Sequence, residues 1–229
     1  MVEIVADLDA ARVRTNLERV QAEIAVAAAR RPAAAAGMHR ERRVEVLAAT
    51  KYVALEDLPK LAEAGVALVG ESRAQDLARK FAAHGELFQW DFIGALQSRR
   101  VRLIVPLVRL IHSVASDSAL GELARHRADA RPGLRILIEV NLAGERGKAG
   151  VAPEELGGFI ARAPVPVAGL MAMPPLAEDP EDSRRWFREL RELADEHGLE
   201  ELSMGTSQDY AVAVEEGATI VRVGTSLYR

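Results

Sequence analysis

The chain has no cysteine. Disulfides, thiolate catalysis and cysteine-ligated metal sites are excluded. No apolar run approaches the roughly 18 residues that a membrane-spanning helix needs. The opening stretch, "MVEIVADLDAARVR", lacks the apolar core of a signal peptide. No Gly-x-Gly-x-x-Gly follows any apolar run, so a dinucleotide-binding sheet has little support. The five histidines, His39, His84, His112, His126 and His197, show no i, i+4 or His-x-His spacing, and no metal site is expected. A net charge of −4 argues against a broad nucleic-acid footprint. No internal repeat or interdomain linker stands out. The expectation is a soluble cytoplasmic protein with no membrane or nucleic-acid partner.

What the chain does have is apolar alternation. It is 229 residues long, 49% hydrophobic and 28% charged, enough to bury a sizeable core in one domain. Residues 8–30 read as one amphipathic helix, with Val13 and Leu17, and Val20 and Ile24, each four apart. Residues 31–43 read as a loop whose "HRERR" run is a solvated basic stretch. From residue 44, β-rich apolar runs recur at 44–49, 66–69, 88–93, 109–114, 135–140, 165–170, 201–204 and 219–223. Helical patterns lie between most of them, such as "SRAQDLARKFAAHG" and "EDSRRWFRELRELADEHG". Strand and helix in repeated alternation predict a parallel sheet, and eight strands close most simply as a (β/α)8 barrel over 44–229. An open doubly wound sheet is the alternative. Only "GTSLYR" follows the last strand, too short for an outer helix. The helix at 8–30 is expected to cover that place.

In such barrels chemistry sits at the C-terminal ends of the strands. Those ends carry Thr50-Lys51, "GES", "GALQS", "SVAS", "NLAGERGKAG", "MAMPP", "MGTSQD" and "RVGTS". Polar residues and glycines gather there, which suits a small polar ligand. The loops after strands seven and eight frequently hold phosphate. Ser207 precedes an apparent helix and reads either as its N-cap or as a phosphate ligand, with Asp209 in the first turn. Gly224-Thr225 is either a plain turn or a site of close backbone approach to an anion. Arg222 lies within the last strand, where an inward side chain needs a partner. Lys51 is either a solvated lysine or an amine in an apolar pocket, able to attack a carbonyl. A lysine with a phosphate site suggests a Schiff-base aldolase or bound pyridoxal 5′-phosphate. His112 reads as a hydrogen-bonded core residue.

Seven segments in order resemble the pyridoxal phosphate homeostasis protein family (the proline synthetase co-transcribed homologues) and the N-terminal barrel of alanine racemase. They are "AATKYV", "GESRAQDLARK", "WDFIGALQSRRV", "IHSVAS", "EVNLAGERGKAGV", "GLMAMPP" and "LSMGTSQDYAVAVEEGATIVRVGTSLY". The resemblance implies that Lys51 holds pyridoxal 5′-phosphate as an aldimine and that Arg222 faces the pyridine nitrogen. It implies Ser207, Gly224 and Thr225 as phosphate binders, Met204-Gly205 as the adjoining loop, and Asn141 and Met171 as pocket lining. Four positions depart from the family pattern: Ser72 replaces the usual Asn, Asp91 His, Arg99 Asn and Ala149 Ser.

Enzymes that use this cofactor as an electron sink commonly place a carboxylate at the ring nitrogen. An arginine there disfavours its protonation. Alanine racemase shares the arginine and, in that resemblance, adds a tyrosine base from a second β-domain. No second base is evident here. Strand alternation turns Tyr52 away from Lys51, Tyr210 lies in a helix, and the sequence stops at Arg229, one residue after Tyr228. The expectation is a monomeric carrier of pyridoxal phosphate that serves cofactor homeostasis and amino- and keto-acid balance, delivering cofactor to apo-enzymes. A racemase-like enzyme, a cofactor-free aldolase and a sensor of cofactor occupancy are the alternatives.

Overall fold

The computed structural model describes residues 7–32, 43–145 and 147–229. Of the loop expected over 31–43, residues 33–42, with His39 and most of the basic run, lie outside the described residues.

Eight parallel strands close into one barrel in chain order. They are β1 Glu45–Ala49, β2 Leu68–Glu71, β3 Gln89–Phe92, β4 Leu110–Val114, β5 Arg135–Glu139, β6 Val167–Met171, β7 Glu201–Thr206 and β8 Ile220–Val223. Pairing of β8 with β1 seals the ring, from Glu45 opposite Ile220 to Ala48 opposite Val223. The open-sheet alternative is excluded. Every apolar run predicted as a strand is one, because a strand covered on both faces has no polar side to break its run. β4, for example, is buried along its whole length.

Two apolar layers result. Ala48, Val69, Trp90, Ile111, Ile138 and Val221 pack outward with the helices. Leu47, Leu68, Leu110, Leu137, Met171 and Ile220 form a separate cluster inside the barrel. Each buried Val, Leu, Ile or Met among them contributes about 1.5–3 kcal/mol. The inner cluster forms a floor beneath the C-terminal strand ends, and polar inward residues above it face a cavity.

The outer layer holds α2 Leu58–Glu63, α3 Ala74–His84, α4 Val101–Ile104, α5 Asp117–Arg125, α6 Leu156–Ala161, α7 Arg184–Glu196 and α8 Tyr210–Glu215. After β8 comes only the single turn α9, Thr225–Tyr228. The N-terminal helix α1, Ala10–Ala29, fills the remaining place. Asp9 caps it, its side chain accepting from the N–H groups of Ala11 and Arg12. Val13, Leu17, Val20, Ile24 and Ala27 make its buried stripe. Asn16 Nδ2 donates to Leu227 O at 3.1 Å and Arg229 O at 3.0 Å, tying α1 to the chain after β8. The Tyr210 hydroxyl meets Glu23, tying α1 to α8.

Candidate functional site

β1 ends at Ala49. Thr50 still bonds to β2, its N–H donating to Gly70 O at 2.9 Å, and the chain then turns as Val53 N–H reaches Thr50 O. The turn lifts Lys51 out of the pleat, so it is exposed on the rim rather than enclosed in an apolar pocket. It also cancels the expected alternation: Lys51 Nζ lies 4.8 Å from the centre of the Tyr52 ring. Such a cation–π contact is worth about 0.5–1 kcal/mol at an exposed site.

A buried ion pair fixes the backbone beneath this lysine. Lys80 Nζ, on α3, donates to Glu71 Oε2 and to Thr50 O, each at 2.7 Å. Thr50 Oγ1 donates to the same carboxylate oxygen at 3.1 Å, and Ser72 N–H to the other at 2.9 Å. Neither side chain of the pair is more than 2% exposed. The sequence shows Glu71 and Lys80 nine apart but not that α3 folds back over β2.

At the opposite edge of the mouth, Ser207 does not cap α8. That helix begins at Tyr210 with Asp209 in the capping position. The Asp209 carboxylate turns back instead, accepting from Thr206 N–H at 2.7 Å and Thr206 Oγ1 at 3.0 Å. Ser207 Oγ is left to accept from the N–H groups of Gly224 at 3.1 Å and Ser226 at 3.4 Å. Two backbone donors after β8 thus converge on one oxygen. A Cβ at Gly224 would rest in ordinary contact with Ala49, 3.7 Å from its Cβ and 3.8 Å from its carbonyl oxygen, so the packing does not itself demand glycine there. Gly205 differs. Its φ is +87°, and an added Cβ would stand 2.6 Å from Ala213 Cβ. Close packing of α8 on β7 requires glycine there.

Arg222 is turned inward and held by acceptors. Its Nη1 donates to Ser203 O at 2.8 Å and Ser203 Oγ at 2.6 Å, and Nη2 to Ala172 O at 3.1 Å. Burial lowers its pKa to about 10, against the attraction of Asp209 and Glu139, so it remains a cation at neutral pH. Ser203 Oγ continues a chain: it lies 2.8 Å from His112 Nδ1, and His112 Nε2 lies 3.1 Å from Asp91 Oδ2. Arg109 Nε donates to the second Asp91 oxygen at 2.9 Å, and Arg109 also meets Glu45. One set of roles satisfies every link. Arg222 donates to Ser203, the Ser203 hydroxyl to Nδ1, and Nε2–H to Asp91, which makes His112 neutral. Burial outweighs the opposing pull of Asp91, pushes the His112 pKa down and agrees with that state. His112 is thus the hydrogen-bonded core residue the sequence suggests. Asp91 is the carboxylate that orients it.

These groups surround a cavity of roughly 430 Å³ at the C-terminal strand ends. Of the residues singled out from sequence, Lys51, Met171, Ser207, Arg222, Gly224 and Thr225 line it. Gly205 lines a neighbouring hollow that shares Arg222. Met204 does neither: it is fully buried on the outward face of β7, in the layer between sheet and helices. Asn141 lines a smaller adjacent cavity, and its amide closes its own loop, bonding Glu145 O at 3.1 Å and Glu145 N–H at 3.2 Å. Sequence reasoning passed over Glu139, on β5, which lines both the main and the smaller cavity. Burial raises its pKa, and nearby Arg222 opposes that rise. Its inward position follows from period-two alternation with Leu137.

The eight-stranded barrel thus carries a lysine at the first strand end and an inward arginine on the last, both open to one cavity. The family described as alanine racemase, N-terminal domain, matches residues 8–229. The pyridoxal phosphate homeostasis protein of Aquifex aeolicus is 41% identical over 199 residues, covering 82% of this chain and 87% of that one. Its counterpart from Vibrio cholerae is 32% identical over 230 residues, covering 94% of this chain and 95% of the relative. The chain belongs to the pyridoxal phosphate homeostasis protein family. Among solved structures, PipY of Synechococcus elongatus with PLP bound gives a TM-score of 0.70 at 31% identity, over 81% of this chain and 92% of that one. Alanine racemase from Corynebacterium glutamicum shares the fold, with a TM-score of 0.64 at 18% identity over 63% of that chain.

Proposed function

We propose that this protein binds pyridoxal 5′-phosphate through Lys51 and holds it for intracellular cofactor homeostasis. The observation that carries this reading is that Lys51, Arg222, Ser207, Gly224 and Thr225 open on one cavity. The polar features of the cofactor include an aldehyde, a ring nitrogen and a phosphate. The lining offers an amine, a guanidinium, and a group of hydroxyl and N–H donors. The Gly224 and Ser226 N–H groups that meet at Ser207 Oγ, on the wall of this cavity, suit an anion with several oxygens. When bound, the cofactor supplies an aldehyde that links reversibly to a primary amine. Lys51 Nζ is the amine of this chain on the rim. Ser207, Thr225 and the N–H of Gly224 take the phosphate.

Arg222 favours holding over turnover. Its charge, kept at neutral pH, opposes a proton on a facing ring nitrogen. Two of the three tyrosines are otherwise engaged. The Tyr228 hydroxyl is buried and donates to Ala49 O at 3.2 Å, and burial drives its pKa far up. Tyr210 is bonded to Glu23 and is also raised, mainly by burial. The curated relatives carry homeostasis in their names, which supports a carrier. We read the protein as a cytoplasmic monomer that passes the cofactor to apo-enzymes. Among the described residues no helix is long and apolar enough to cross a membrane, which is compatible with that location.

One observation favours weak racemase-like turnover as a second reading. Glu139 stands at the end of β5, across the eight-stranded ring from Lys51, and its carboxyl pKa is raised. Two groups on opposite walls are what α-proton exchange requires. Titration with pyridoxal phosphate, followed by visible absorption, tests the carrier reading, and a chiral amino-acid assay of the loaded protein separates the two. A new visible band without turnover above free cofactor supports the carrier. Turnover that disappears in Glu139→Gln supports the racemase.

A further inference from the structure

We propose that Glu139 is the receiving group for a small primary ammonium ion, bound in the cavity that adjoins the main site. This cavity measures roughly 170 Å³ and is lined by Glu139, Asn141, Lys148, Met173, Pro174 and Trp186, among others. That volume suits an amine on a frame of two or three carbons.

The Asn141, Glu145 and Lys148 side chains of the lining are engaged within their own loop. Lys148 is paired with Glu145. The Asn141 amide is bonded at both ends to the Glu145 backbone. The two Nη atoms of Arg222, the nearest buried cation, are directed to Ser203, Ala172 and Met173. The Glu139 carboxylate therefore has no hydrogen-bond or ion-pair partner among the described residues, yet it is only partly exposed. Its oxygens remain open to the cavity rather than sealed in the core, and a cation that enters can offer them charge-assisted hydrogen bonds. A primary ammonium does so with its three donors. Apolar Leu142, Pro174 and the Trp186 ring suit a short carbon frame.

Glu139 belongs to both cavities. An amine held there stands beside the site proposed for an aldehyde cofactor, on the wall opposite Lys51. That consequence rests on the function proposed above. The binding itself does not, because it is measured on cofactor-free protein.

The chain has two tryptophans. Trp186 lines this cavity, whereas Trp90 is fully buried between β3 and its helices. Their indole N–H resonances in the NMR spectrum therefore report the site and the fold separately. The probes are L-alanine, ethylamine and L-lactate, in which a hydroxyl replaces the ammonium of alanine. L-alanine should shift the Trp186 signal saturably and leave Trp90 unmoved, and L-lactate should not shift it. Glu139→Gln should weaken L-alanine by about tenfold or more, the loss of a charged hydrogen bond. Its Trp90 signal, if unchanged, certifies the fold. Ethylamine binding as well as L-alanine identifies the amine as the recognised group, and L-alanine alone identifies an amino acid; either supports the site. Equal binding of L-lactate, retention of L-alanine by a folded Glu139→Gln protein, or no shift with any probe overturns it.

Discussion

Arg222 Nη1 and Ser203 Oγ stand 2.6 Å apart inside the barrel, joining the last strand to its neighbour below the cavity mouth. Ser203 also holds His112, so one hydroxyl links the arginine to the buried Asp91. Ser203→Ala should cost about 1–3 kcal/mol by leaving buried polar groups short of a partner. Urea unfolding measures this. A loss under about 0.5 kcal/mol, typical of surface substitutions, would show that the chain of bonds does not constrain Arg222.

His112 gives a pH dependence. Its folded pKa lies below the ordinary 6.5, so the unfolded chain binds a proton that the folded protein refuses. Stability is therefore complete above the unfolded value and falls as pH drops below about 6.5. His112→Asn should be less stable at neutral pH but should show a shallower decline between pH 6.5 and 5, where the wild-type slope is steeper. Parallel slopes for the two proteins would mean that folded His112 takes up its proton as readily as it does in the unfolded chain.

Lys80→Met should be among the most damaging single substitutions. It strands Glu71 without its cation, and breaking a buried pair from one side costs about 3–5 kcal/mol. Adding Glu71→Gln should restore part of the loss, since the uncompensated charge is removed. If the double variant is no more stable than Lys80→Met, the damage comes from lost packing rather than from the charge.

Ser207→Ala combined with Thr225→Ala should weaken pyridoxal phosphate far more than pyridoxal. Each charge-assisted hydrogen bond to phosphate is worth about 1.5–3 kcal/mol, roughly ten- to hundredfold in affinity. Equilibrium dialysis with both ligands decides it. Equal weakening of the two would put the phosphate elsewhere.

The strands were legible as short β-rich runs set between helical stretches, and α1 because its buried positions repeat every three or four residues. Lys51 and Arg222 were legible as charges at strand ends. Other parts depended on distances the sequence does not display. Ser207 resembles an N-cap locally, but Asp209 takes that position and its partner is upstream. Met204 was placed beside the pocket with its neighbours, whereas its side chain faces the helices. Glu139 looked like one more residue of an apolar strand. His112 and Ser203 are 91 residues apart, and only barrel closure brings them together.

The central claim is that Lys51 holds the cofactor. Incubation with pyridoxal phosphate, borohydride reduction and peptide mapping test it most directly. The label should fall on the peptide carrying Lys51 and disappear in a folded Lys51→Ala protein. A label on Lys60, Lys80 or Lys148 instead, or full labelling of Lys51→Ala, would contradict the account.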